Sequence, residues 1–199
     1  MSISAMLVYL AVNAITPGPN NLMCLYLGAT VKLKGAKNFM LGSFTGLFVK
    51  SVLCGLLNVL LAEIVPALVP YLKWVGAAYM LYLGYTMIKS GFEEENSDGE
   101  AAESSDRGST FMSGIVLQCL NIKSWISALS MFSVYVIPFT TDISAVFLSS
   151  AAYLGLIAVS SLIWVLFGQT IQAVYKKHRL LISILMGLSL AVCAVMALI

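Results

Sequence analysis

Charge is what this chain has least of. Only 10% of its 199 residues are Asp, Glu, Lys or Arg, and the mean hydropathy is +0.94. An ordinary soluble domain carries roughly 25% charged residues, so a water-soluble globule is excluded and the sequence reads as an integral membrane protein. Other absences narrow the chemistry. There is one histidine, His178, and no glycine-rich phosphate loop. No metal, no nucleotide cofactor and no nucleic-acid partner is therefore expected, and no enzyme. The first apolar run has no basic stretch ahead of it, so it is not expected to be a cleaved signal peptide.

What is present is a series of apolar runs. A helix needs about 20 apolar residues to cross the hydrocarbon core. The runs 3–29, 39–61, 68–88, 111–137, 143–168 and 180–198 meet that need, so the predicted architecture is an all-α integral membrane protein of six transmembrane helices. Lys32, Lys34, Lys37, Lys89, Arg107, Lys176, Lys177 and Arg179 all fall in loops on one side, with Lys73 alone on the other. Positive residues stay cytoplasmic, so both termini are expected on the periplasmic face of a bacterial inner membrane.

One polar stretch, 89–110, holds seven acidic residues and a single aromatic, Phe92. It reads as a disordered cytoplasmic linker between two transmembrane halves, 1–88 and 111–199. Three spans per half make the second half enter the membrane from the opposite face. The expected plan is thus a 3+3 inverted-topology repeat, a common one among transporters.

Inside the first run stands TPGPNN, residues 16–21. Pro17 and Pro19 lack an N–H and clash with the preceding turn, so a regular helix cannot pass. Freed backbone groups are costly in hydrocarbon unless protein or cavity water satisfies them, so the break should line a cavity. A half-helix starting near Asn20 would aim free N–H groups into it, which suits a carboxylate. Thr16, Gly18, Asn20 and Asn21 complete the candidate site; a plain proline kink is the alternative.

The fourth run carries LQCLNIKSW at 117–125. On an ideal helix Asn121 and Lys123 lie about 200° apart and cannot share a cavity. Either the helix is unwound here too, or Lys123 faces the bundle with Cys119, Ser127 and Ser130 while Asn121 packs with Gln118 elsewhere. In the second run Ser43, Gly46, Lys50 and Cys54 fall within about 80° of one another, which turns Lys50 into the bundle. Acidic residues are absent from mid-span: Glu63 and Asp142 lie near the outer ends. The expected cavity is polar and positive, favouring a carboxylate-bearing anion or zwitterion over cationic solutes. Any proton coupling would fall to Lys50 or Lys123. Gly42-xxx-Gly46 offers a homodimer contact, although internal packing is its commoner use.

TPGPNN, KWVGAAYMLYLGY at 73–85 and the Asn-x-Lys of 121–123 together resemble the LysE/RhtB family of bacterial amino-acid exporters over essentially the whole chain. Where that family usually has Asn-Pro-Lys, this sequence has Asn121-Ile122-Lys123, a variant similar to the cysteine/O-acetylserine exporter subgroup. The resemblance implies proton-driven efflux of a small amino acid, with Pro17, Gly18, Pro19, Asn20, Asn121 and Lys123 at the site. Cysteine and O-acetylserine come first among its implied substrates, then homoserine and threonine. Lys50 is added from helix geometry. A rival reading is a thiol–disulfide electron carrier using Cys24 and Cys119, against which stands the lack of any C-x-x-C motif.

Overall fold

The structure is a computed structural model that describes residues 3–93, 109–140 and 142–198. Among these residues there are helices and turns and no strand. Helix α1 (Ile3–Ile15) ends just before Thr16 and the prolines, and α2 (Pro19–Leu56) restarts from an extended Gly18 with Pro19 in its first turn. Proline suits that position, because its missing N–H would have had no intrahelical acceptor. α3 (Asn58–Glu93) runs on through Pro66 and Pro70. α4 (Phe111–Leu120) is capped by Thr110, whose side chain accepts from the Ser113 N–H at 3.1 Å. α5 (Ile122–Ser130) passes into a π-helical turn, Met131–Val136, before α6 (Ile143–Thr170), the short α7 (Gln172–Lys177) and α8 (Arg179–Leu198).

Several boundaries differ from the sequence expectation. The loop expected around Lys32, Lys34 and Lys37 shrinks to a single corner inside α2. Lys32 there has φ 61° and ψ −176° while the residues on either side stay helical. A lysine in the left-handed region is strained. The corner is tight enough that a Cβ on Gly35 would lie 2.5 Å from the Val31 Cβ. The second turn falls at Leu57, earlier than the expected 62–67, and the helix continues where a loop was predicted. Residues 94–108 of the acidic linker lie outside the described residues, as does the side chain of Glu63.

Among the described residues α2, α6 and α8 are each long and apolar enough to cross a membrane, and α4 with α5 makes a fourth candidate bent by 64°. α1 has 13 residues and is too short alone. The six expected spans are thus not separately evident by helix length, because the first is divided between α1 and the start of α2.

Glycines set the closest helix contacts. An added Cβ on Gly28 would lie 2.1 Å from the Val165 carbonyl oxygen, and one on Gly168 2.2 Å from that of Leu25, so α2 and α6 touch backbone to backbone. Gly42 and Gly114 do the same for α2 and α4, and Gly84 and Gly187 for α3 and α8. Small residues permit this approach where lipid supplies no hydrophobic drive. The Gly42-xxx-Gly46 stripe expected as a dimer contact is therefore occupied within the chain: Gly42 faces Phe111 and Gly46 faces Gln118. Two apolar clusters result. One gathers Met23, Leu27, Phe39, Met87 and Leu190; the other gathers Leu10, Leu47, Phe132, Val136 and Tyr153. The two helix breaks lie between them. Val8, Val12, Leu148 and Val192 face outward, exposed, as lipid-facing residues would.

Candidate functional site

The end of α1 leaves carbonyls without helical donors, as every helix end does. Side chains take them over. Asn21 Nδ2 donates to Ala14 O at 2.7 Å and to Thr16 O at 3.1 Å, and Ser160 Oγ donates to Ala14 O at 2.7 Å. Lys123 Nζ, reaching from α5, donates to Thr16 O at 3.1 Å. The Thr16 hydroxyl turns back on Val12 O. Asn21 thus caps the outgoing helix, while the N–H groups of Asn20 and Asn21 open α2 with no intrahelical acceptor.

The second break has no proline, and the structure supplies the reason it forms anyway. Three consecutive carbonyls leave the helix axis for other contacts. Lys50 Nζ donates to Gln118 O at 2.8 Å, and Trp125 Nε1 donates to Cys119 O at 2.8 Å. Leu120 O presses on α3, where a Cβ on Gly76 would sit only 2.7 Å away. Asn121 then adopts φ −80° and ψ 95°, and its carbonyl accepts from Ser124 Oγ at 2.8 Å and from the Ser124 and Trp125 N–H groups. The turn lets Asn121 and Lys123 line the same two cavities, which an unbroken helix forbids. The Lys123 ammonium is given to Thr16 O rather than to the face of Cys119, Ser127 and Ser130.

Between the breaks runs a buried chain of hydrogen bonds. Lys50, 4% exposed, donates to Gln118 Oε1 at 3.4 Å and to Ser124 Oγ. Gln118 Nε2 donates to Ser43 Oγ at 2.9 Å, Ser43 Oγ to Asn20 Oδ1 at 2.7 Å, and Asn20 Nδ2 to Ser161 Oγ at 3.1 Å. The Lys50 ammonium also lies over the Trp125 ring, 5.4 Å from its centroid. Every partner the structure gives it is neutral.

Two cavities flank Gly18, Pro19, Asn121 and Lys123. A small one of about 30 Å³ has polar walls, with Asn13, Asn20 and Asn21 among them. The larger, about 340 Å³, is walled by apolar side chains of α3, α4, α5 and α8, and Pro17 borders it. Among the described residues no Asp or Glu lines either one. No cluster that would hold a metal occurs among the described residues. The structure thus brings Thr16, Gly18, Pro19, Asn20, Asn21, Asn121 and Lys123 together and sets Lys50 behind them, with the Thr16 hydroxyl and the Asn21 amino group also bonded to backbone carbonyls. Ser43 was read only as part of the Lys50 face, Gln118 only as a packing neighbour of Asn121 and Gly76 only as part of a motif, while Ser124, Trp125 and Ser161 were given no role. Their signal was a polar or minimal residue on an otherwise apolar helix, which marks a contact face without naming its partner. All four cysteines are free; Cys24 is buried while Cys119 is exposed, and neither pairs.

The LysE type translocator family model matches residues 10–199. The chain belongs to the LysE family. Among similar proteins of this family is the cysteine/O-acetylserine efflux protein of Escherichia coli (strain K12). It is 28% identical over 193 residues, covering 97% of this chain and 95% of that protein. The protein of the same name from Salmonella typhimurium (strain LT2) is 29% identical over 196 residues, covering 98% and 96%. No solved structure matches. The family's G-A-A-Y segment gains a physical role in this LysE chain. Gly76 admits the Leu120 carbonyl, Ala77 is buried, and the Tyr79 hydroxyl donates to Ser113 O at 3.4 Å.

Proposed function

We propose that this chain exports small neutral amino acids or their derivatives from the bacterial cytoplasm, driven by the proton motive force. Cysteine and O-acetylserine are the first candidates, followed by homoserine and threonine. The observation that carries the reading is the meeting of two broken helices at a carboxylate-free cavity beneath a lysine. The substrate carboxylate would bind the N–H groups that open α2 and the Lys123 ammonium, while side chains of the α4–α5 break hold its other polar groups. A cationic substrate would meet two ammonium groups and no acid, which favours neutral solutes. Lys50 is the candidate proton carrier, being buried with only neutral partners.

The same reading takes the chain as six spans in a 3+3 inverted repeat with both termini periplasmic. Helix pairing supports it: the first half's broken helix packs on α6, and its counterpart α4 packs on α2. Gly84 also stands to Gly187 at the same spacing as Gly18 to Asn121, and the two glycines touch, as residues beside a pseudo-twofold axis would.

Everted membrane vesicles energised with a respiratory substrate test the proposal. Labelled O-acetylserine and cysteine should accumulate, with a protonophore abolishing uptake and unlabelled threonine, but not lysine, competing. Absence of uptake of any amino acid by folded protein would sink it.

A further inference from the structure

Lys73 stands outside the basic loops and has had no role beyond setting orientation. It lies in α3 on the wall of the 340 Å³ cavity, which the double break with Lys123 also lines. The rest of that wall is apolar, with Met80, Leu117 and Ile126 among it, and α8 closes the side with Cys193 and Met196. Two ammonium groups therefore share one largely apolar cavity to which no carboxylate among the described residues contributes. Apolar walls strengthen the field of each cation inside the cavity, because little water screens it. An uncompensated pair of cations repels, and an anionic group between them relieves that repulsion.

We propose that Lys73 is a second cationic station for the substrate carboxylate, and that the cavity from Lys123 to Lys73 is the outer half of the export path. This rests on the transport reading above and adds to it a direction and a residue. A carboxylate released from the opening of α2 and from Lys123 passes along the apolar wall to Lys73, midway along α3, where the last two turns of α8 line the same cavity. The apolar lining meanwhile accommodates the substrate side chain, and Gly76 and Met80 set how wide that side chain is.

Cys193 makes the cavity's potential measurable without knowing the substrate. In a protein with Cys24, Cys54 and Cys119 replaced by alanine, Cys193 is the only thiol left. Its rates of modification by anionic sulfonatoethyl and cationic trimethylammonium-ethyl thiosulfonates, added to the periplasmic face, report the sign of the local field. The anionic reagent should react in excess, and Lys73→Gln should lower the anionic-to-cationic ratio by about threefold or more, the effect of one unit charge in a poorly screened site. Lys73→Arg should keep the ratio. In everted vesicles Lys73→Gln should slow O-acetylserine uptake, whereas Lys73→Arg should retain it. A ratio unchanged in Lys73→Gln, or a Cys193 unreactive from that face, overturns the assignment. Failure of the transport reading shows separately, as absence of amino-acid uptake by the unsubstituted protein.

Discussion

Replacing Lys50 by methionine separates the structural from the transport role of the buried ammonium. The side chain donates to Gln118 O, Gln118 Oε1 and Ser124 Oγ, and these contacts recover roughly 1.5–3 kcal/mol each when one partner is charged. Against this stands the cost of taking one ion out of water, several kcal/mol even after relaxation, with no carboxylate to offset it. Methionine removes that cost and fills similar volume, but leaves the backbone and side-chain oxygens of Gln118 without their donor, a loss of about 1–3 kcal/mol each. The net expectation is a destabilisation of no more than about 3 kcal/mol, the lower end being close to zero. Thermal unfolding in detergent should therefore show a cooperative transition only modestly shifted. Uptake into everted vesicles should fall to background, because the group that changes protonation is gone. Uptake at the unsubstituted rate with the same protonophore sensitivity would refute the proton-carrying role. A protein that no longer folds would refute the balance of terms.

Other substitutions probe the scaffold. Gly28→Ala forces a methyl to within 2.1 Å of a carbonyl oxygen and should destabilise by about 1–3 kcal/mol or more, whereas Gly155→Ala, with nothing within 4 Å, should be neutral or slightly stabilising; paired melting curves decide. Trp125→Phe orphans the Cys119 carbonyl and should cost about 1–3 kcal/mol with reduced uptake, while the same substitution at the exposed Trp74 should change neither measurement. Replacing all four cysteines by alanine should leave uptake intact in everted vesicles; abolition of function in a folded variant would favour thiol electron transfer instead.

Much of this arrangement was legible from residue type and spacing. Pro17 and Pro19 announced a break because proline's effect on a helix is local. Lys50 could be turned inward from the small residues sharing its face. The break at Asn121 was harder, since its cause is tertiary: Lys50 from α2 and Trp125 from the next helix capture carbonyls that a helix would otherwise use. Asn21 was read as a ligand group; it lines the small cavity and its amino group also caps α1, a second task that the sequence did not show. The Lys32 corner escaped notice for a related reason. A lysine has no preference for the left-handed region, so only the packing of the two segments it joins imposes that conformation.

The chain of hydrogen bonds between the breaks also has a polarity. An ammonium can only donate, so Lys50 obliges Gln118 to present its oxygen, which turns its amino group toward Ser43. The Ser43 proton must then point at the Asn20 oxygen, leaving the Asn20 amino group for Ser161. Each orientation is dictated by the one before it, like tiles laid with arrows. Turning over the Gln118 amide alone would set hydrogens against hydrogens on the Lys50 side and oxygen against oxygen on the Ser43 side, so its orientation is fixed by both neighbours. The carboxamides do not hand a proton along as water would. What they relay is orientation, so the donor that one lysine presents sets the amide at the opening of α2, three side chains away.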